Sequence, residues 1–313
     1  MLHIVPDYYT QFTCTAGACR HNCCIGWEID IDEDTASYYR AYSGPMAERL
    51  QTDIDFSVAP AHFILGKHDR CSFLNQNNLC DIIIEMGEDH ICQICNDHPR
   101  FHNELPGRTE SGLGLCCEEA ARIILSQKEP VTLRISDDAD AEDIEDEIIA
   151  YRDDVLTILQ NREVSIEERI EMLQLPIQID ICRWISFLLD LEVLDAIWPH
   201  RLKELENYWQ QIDWEGFRLH MSDRKTEYEQ LLVYLIYRHM ANAPSLEDAD
   251  ARAAFAVLGY HLIHALGAVM FTLRGGFTFE DQVELARLFS SEIEYCEENL
   301  YAILDELYEA ALL

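Results

Sequence analysis

Lysine is nearly missing from this chain: 313 residues contain only Lys67, Lys128, Lys203 and Lys225. The other cations are arginines, and 58 acidic residues face 23 basic ones, a formal net charge of −35. Without a basic footprint the chain is no non-specific nucleic-acid binder. Its field favours basic partners and solubility instead. An enzyme acting on lysine would also gain from exposing few lysines of its own. Other absences narrow the field further. There is no G-x-G-x-x-G, no Walker loop, no H-E-x-x-H and no G-x-S-x-G, so nothing local marks a nucleotide-type cofactor pocket. Met1-Leu-His-Ile-Val-Pro-Asp-Tyr8 has no basic segment leading into an apolar run, so no secretory signal is visible. A cytoplasmic protein is expected, in which thiols stay reduced and tend to bind metal.

What is abundant is cysteine, and it is concentrated. Ten of the twelve cysteines precede residue 118, and only Cys182 and Cys296 lie beyond. The densest stretch is Cys14-Thr-Ala-Gly-Ala-Cys19-Arg-His-Asn-Cys23-Cys24. Side chains of adjacent residues diverge, so Cys23 and Cys24 are expected to serve different partners among Cys71, Cys80, Cys92, Cys95, Cys116 and Cys117. Clustered thiolates bind zinc in tetrahedral sites or iron in iron–sulfur clusters. A disulfide framework is the competing reading, disfavoured by the missing signal. Spacing does not separate zinc from iron–sulfur. Cys92-x-x-Cys95 suits either, and C-x4-C-x3-C-C matches no zinc-finger spacing. Nor is the C-x3-C-x2-C of radical S-adenosylmethionine enzymes present, because Gly26 stands where its third cysteine belongs. His21, His90, His98 and His102 lie among the thiols as further candidate ligands.

Apolar content of 49% excludes disorder. The expected fold is mainly α: a small cysteine-rich module with short strands over 1–130, then a helical bundle over 140–313. Residues 1–13 read as extended. Trp27 to Asp32 alternates apolar and acidic residues, as a strand burying Trp27, Ile29 and Ile31 does. A helix follows from an Asp32 cap to about Tyr42. Phe56–Lys67 reads as extended, and the asparagine-rich segment between Cys71 and Cys80 as a closed turn. A short turn of helix over Ile82–Met86 stops at Gly87. Helices are expected from Glu118 to about Ser126, then near 141–161, 166–174, 177–196, 200–211, 224–242, 246–273, 278–297 and 299–312. Ala253–Leu273 has no charged side chain and the length of a membrane span. Its histidines and glycines point to a buried central helix instead. Gly259 and Gly267 would let neighbours approach it closely.

These residues together resemble a known family. Phe12-Thr-Cys14…Cys19…Cys23-Cys24-Ile-Gly-Trp27, Cys71-Ser-Phe-Leu…Leu-Cys80, Gly87-Glu…Cys95…His-Pro-Arg100 and Leu-Cys116-Cys117-Glu-Glu-Ala-Ala-Arg122 are similar to the flagellin lysine-N-methylases. These belong to a wider group of bacterial cysteine-rich proteins described as zinc- or iron-chelating. The resemblance is specific over residues 1 to about 125. Downstream, Leu-Leu-Val-Tyr-Leu-Ile-Tyr-Arg238-His239 looks similar to a stretch of the same family. The resemblance implies methyl transfer from S-adenosylmethionine to lysine ε-amines of flagellin in the bacterial cytoplasm. It also implies an iron–sulfur cluster, of the 4Fe-4S kind, with zinc as the alternative. The cysteines it shares are Cys14, Cys19, Cys23, Cys24, Cys71, Cys80, Cys95 and Cys117, with Cys92 and Cys116 as extras. It assigns no catalytic base, no donor pocket and no oligomeric state. The alternative is a non-catalytic metal-chelating or thiol-redox protein. A cofactor loop missing from the sequence favours that reading, and the long helical extension favours the methylase.

Overall fold

Local capping chemistry starts many of the helices. Asp32 accepts a hydrogen bond from the Thr35 amide and opens Glu33–Ala41. Ser165 and Thr278 form reciprocal capping boxes with Glu168 and Asp281. Asp146, Asp180, Asp213 and Ser245 each satisfy amide groups that the first helical turn leaves unpaired. The computed structural model describes residues 2–137, 146–177 and 179–311. The protein is mainly α, as expected, with only short strands. The acidic run from Asp137 to Glu147 and the start of the helix expected from 141 fall largely outside the described residues.

Two compact units emerge, and no single cut separates them. One contains Thr13–Phe101 and Cys117–Glu119; the other contains Met1–Phe12, His102–Cys116 and Ala120–Leu313.

The thiol-bearing unit is built on a three-stranded antiparallel sheet. Asp30–Ile31, Ala61–Phe63 and Ile54–Asp55 pair with His62 opposite both Asp30 and Asp55. Ile29 and Ile31 are buried with Tyr39, Leu50, Phe63, Phe73 and Ile82. Trp27 corrects the alternation: it stays 36% exposed, because its indole N–H donates to the Cys23 carbonyl at 2.6 Å outside the sheet. Phe56–Lys67 shortens to Ala61–Phe63, since Pro60 cannot donate to a ladder. Asn75 braces the turn between Cys71 and Cys80 by accepting from the amides of Asn77 and Leu79. The short helix Asp81–Met86 stops at Gly87, whose φ of +99° suits glycine.

The helical unit carries its own four-stranded sheet in the order 100–105, 108–113, 2–6, 133–137. Leu2–Pro6 runs parallel to Arg108–Leu113 and antiparallel to Leu133–Asp137. Under this sheet Glu110 is fully buried, ion-paired to Arg152 and to Arg108 at 3.2 Å. Leu246–Arg274 is the central helix. By length and composition it passes for a membrane span, but most of that window is buried inside the protein. Gly259 and Gly267 permit this packing. A Cβ at Gly259 would meet Leu235 at 2.9 Å, and one at Gly267 would meet the Phe277 ring at 3.0 Å. Helix boundaries differ from expectation at several points. Ile197–Tyr208 starts ahead of Pro199, because a first turn needs no amide donor there. Ile181–Leu189 starts late, where Asp180 supplies the cap. The helix expected over 278–297 changes after Phe289 into a π-helical segment, Ser290–Glu294.

Candidate functional site

Five thiols of the thiol-bearing unit meet at its apolar core. Cys92 is completely buried and Cys71 nearly so, with Cys24, Cys80 and Cys95 packed against the same cluster. Backbone pairing brings them in from different segments. The Cys71 amide donates to the Cys24 carbonyl at 2.9 Å, and Leu74 bridges to Cys80. Cys80 occupies the N-cap position of Asp81–Met86 and Cys92 that of Gln93–Asp97, so two sulfurs sit near helix N-termini, where backbone N–H groups favour negative charge.

Charge in this core is finely divided. Burial raises the Cys71 thiol to about 11 and raises Cys80 as well, against the pull of the Ile83 and Ile82 amides. Cys95 donates its proton to Cys92, which lowers Cys92 and raises Cys95. Cys24 acts likewise toward Cys23. With that hydrogen bond and His98 nearby, Cys23 falls to about 4. Among the four histidines singled out, His98 hydrogen-bonds the Cys23 thiol. His90 packs its ring on Tyr38 at 5.3 Å, and His102 bonds Ser111 at 2.6 Å.

The other implied positions, Cys14, Cys19 and Cys117, are not among the residues of that core, and Cys19 lies near Cys14 and Cys23. Cys14 is exposed and accepts from the Ala16 amide at 3.3 Å. Cys19 donates to the His21 carbonyl at 3.2 Å. Cys117 precedes the helix Glu118–Ser126, and Glu118 accepts from the Arg20 amide at 3.2 Å. Cys92, set aside as an extra, lies deepest of all. Its signal was already present in the C-x-x-C pair with Cys95.

In the helical unit, the Arg238-His239 stretch belongs to a buried polar network. Its centre is Glu294, at the end of the π-helical segment. π-Helical turns concentrate at functional sites. Glu294 accepts from Tyr234 Oη at 3.0 Å, bonds His239 Nε2 at 2.7 Å and ion-pairs with Arg238 Nε at 3.3 Å. Burial alone would push this carboxyl up, but Arg238 and His239 outweigh it and hold it down to about 2. Arg238 also lies over the Tyr295 ring at 4.6 Å. Nothing in the sequence around Glu294 marked it, because its partners lie more than fifty residues away.

A second feature of this unit is a cleft of about 200 Å³ beside the central helix. Ala254, Val257 and His261 line one side; Ile170, Glu171 and Gln174 line another. Behind it, His264 stacks on Trp214 at 5.8 Å and meets Tyr228 edge-on at 5.1 Å. Burial depresses both histidines, His264 to about 4.

Comparison with known proteins places the helical unit. Residues 172–312 match the family model described as the FliB lysine N-methylase C-terminal domain. Lysine-N-methylases of Salmonella typhimurium and Salmonella choleraesuis are 27% and 28% identical over 142 residues. Each match covers 41% of this chain and 33% of the relative, so the chain aligns with about a third of those proteins. The flagellar biosynthetic protein FliU of Salmonella muenchen is 25% identical over 134 residues, covering 41% of this chain and 79% of that protein. No solved structure matches. The family model falls on the helical part, whereas the resemblance read from the sequence rests on the cysteines. From both sides, then, the chain is similar to the lysine N-methylases, and over residues 172–312 it matches the model of their C-terminal domain.

Proposed function

We propose that this chain is a protein-lysine N-methyltransferase acting on flagellin, with S-adenosylmethionine as methyl donor and a thiolate-held iron–sulfur centre. The observation that carries the reading is the match of residues 172–312 to the lysine N-methylase C-terminal domain. The donor set of the other unit supports the metal centre. Thiols converge from four chain segments, and backbone amides aim at several sulfurs. Cys24, Cys71, Cys80, Cys92 and Cys95 are the residues that would hold it, with Cys23 and His98 beside them. That is more thiols than one tetrahedral zinc requires. Such a centre ties together loops that only a three-stranded sheet otherwise supports.

The sulfonium donor supplies an activated methyl group. The protein must align it with the target nitrogen and take a proton from lysine, whose ε-amine is otherwise charged at neutral pH. The acidic surface raises the local concentration of a lysine-bearing partner.

Anaerobically purified protein, flagellin and S-adenosylmethionine should give methylene-sized steps in the intact mass of flagellin. These steps should vanish without the donor and in a Cys80→Ala variant. No step from metal-loaded, folded protein would sink the transferase reading in favour of a chelating or redox module.

A further inference from the structure

The cleft between Ile166–Met172 and the central helix is unused by anything above. Its walls combine aliphatic Ile170, Leu175, Ile177 and Val257 with one carboxylate, Glu171, and one imidazole, His261. Glu167 stands one turn before Glu171 and approaches Tyr260 Oη at 3.5 Å. At about 200 Å³ the space is below the range that takes a cofactor-sized ligand and suits a single side chain. The occupant must therefore be slender, largely apolar along its length, and positively charged at one end. Lysine meets all three demands. The chain's charge of −35 draws such a group in, and its own four lysines offer little competition. Gln174, Val257 and His261 fall within the stretch that matches the lysine N-methylase domain.

We propose that this cleft receives the side chain of the target lysine, the aliphatic stem along Ile170 and Val257, the ε-nitrogen between Glu171 and His261. The proposal rests on the methylase reading and names its lysine subsite. Burial keeps His261 below its ordinary range, against the pull of Glu167, so the ring is neutral at neutral pH. A neutral imidazole has a lone pair to offer. One proton passes from the ε-ammonium to the ring, the resulting imidazolium faces Glu167, and the nitrogen keeps the electron pair that N-methylation requires.

The test uses the full chain labelled with 15N-histidine and titrated with N-acetyl-lysine-N-methylamide, without methyl donor. A His261→Gln variant assigns the His261 signals. These signals should move on titration. The norleucine analogue, which has the stem but no amine, should bind about tenfold more weakly, as should lysine to Glu171→Gln, a change on the exposed side of a short helix. Unmoved His261 signals, or equal binding of norleucine, would overturn the proposal even if the protein methylates flagellin. Moving signals with no methylation would leave the subsite standing and bring down the methylase reading alone.

Discussion

Replacing Glu294 by glutamine removes one negative charge from a side chain with no exposed surface. The amide has nearly the same shape, so the loss is electrostatic. Arg238 loses its carboxylate at 3.3 Å, His239 its partner at 2.7 Å, and Tyr234 its acceptor at 3.0 Å. Breaking a buried ion pair on one side costs about 3–5 kcal/mol. A second route gives a similar size. The Glu294 carboxyl falls from an ordinary 4.5 to about 2, and at about 1.4 kcal/mol per pH unit this corresponds to roughly 3 kcal/mol. The sign follows from the direction of the shift. A depressed carboxyl stabilises fully above about pH 4.5, and that contribution drains away as pH falls toward 2. His239, lowered chiefly by burial, adds to the same trend, because charging it below its ordinary 6.5 disfavours the fold. Urea unfolding at several pH values, followed by circular dichroism, reads both effects. The variant should lose about 3 kcal/mol at pH 7 and show a flatter acid limb than the parent. A loss below about 1 kcal/mol, with the acid limb unchanged, would refute the assignment of Glu294 as the charged centre of this network.

Other outcomes follow from the same geometry. Cys80→Ala and Cys23→Ala should lose bound metal and soluble yield together, whereas Cys14→Ala, at an exposed thiol, should keep most of both; metal analysis of the three purified variants decides. Gly259→Ala forces a Cβ to 2.9 Å from Leu235 and 3.2 Å from the Phe289 ring. Overpacking of about 1–3 kcal/mol should outweigh the gain in helix propensity, seen as a lower Tm. Asp180→Ala removes the acceptor of the Cys182 amide at 3.0 Å and should cost about 1 kcal/mol in the same assay.

The long helices were legible because their signals are local, whereas the short helices Ala47–Thr52, Gln93–Asp97 and Trp214–His220 went unread. Asp32, Ser165 and Thr278 announce starts within four residues of where they act, and Gly87 announces a stop. Trp27 misled because alternation predicts which face a residue takes only where a strand continues, and this strand begins at Asp30. The sheet of the helical unit was largely illegible. Leu2–Pro6 was recognisable as extended, but its partner at Arg108–Leu113 lies across a whole unit. For the thiols, pattern identified the population and not the packing. No spacing rule says that Cys92 is enclosed while Cys14 faces water. Glu294 is the clearest case of distance defeating the reading, since an isolated glutamate on a helical face is ordinarily a solvated one.

The parallel pairing of Leu2–Pro6 with Arg108–Leu113 also sets an order of events during synthesis. The first strand leaves the ribosome with no partner and waits for roughly a hundred more residues, a delay of about 5–20 s at ordinary elongation rates. Nearly the whole thiol-bearing unit emerges within that interval. Under the proposed function, its cysteines would meet iron or a cluster-delivery factor while most of the helical unit is still being translated. On that reading, cofactor insertion and completion of the second unit would be successive steps along one nascent chain, and a shortage of metal would be registered before the helical unit is complete.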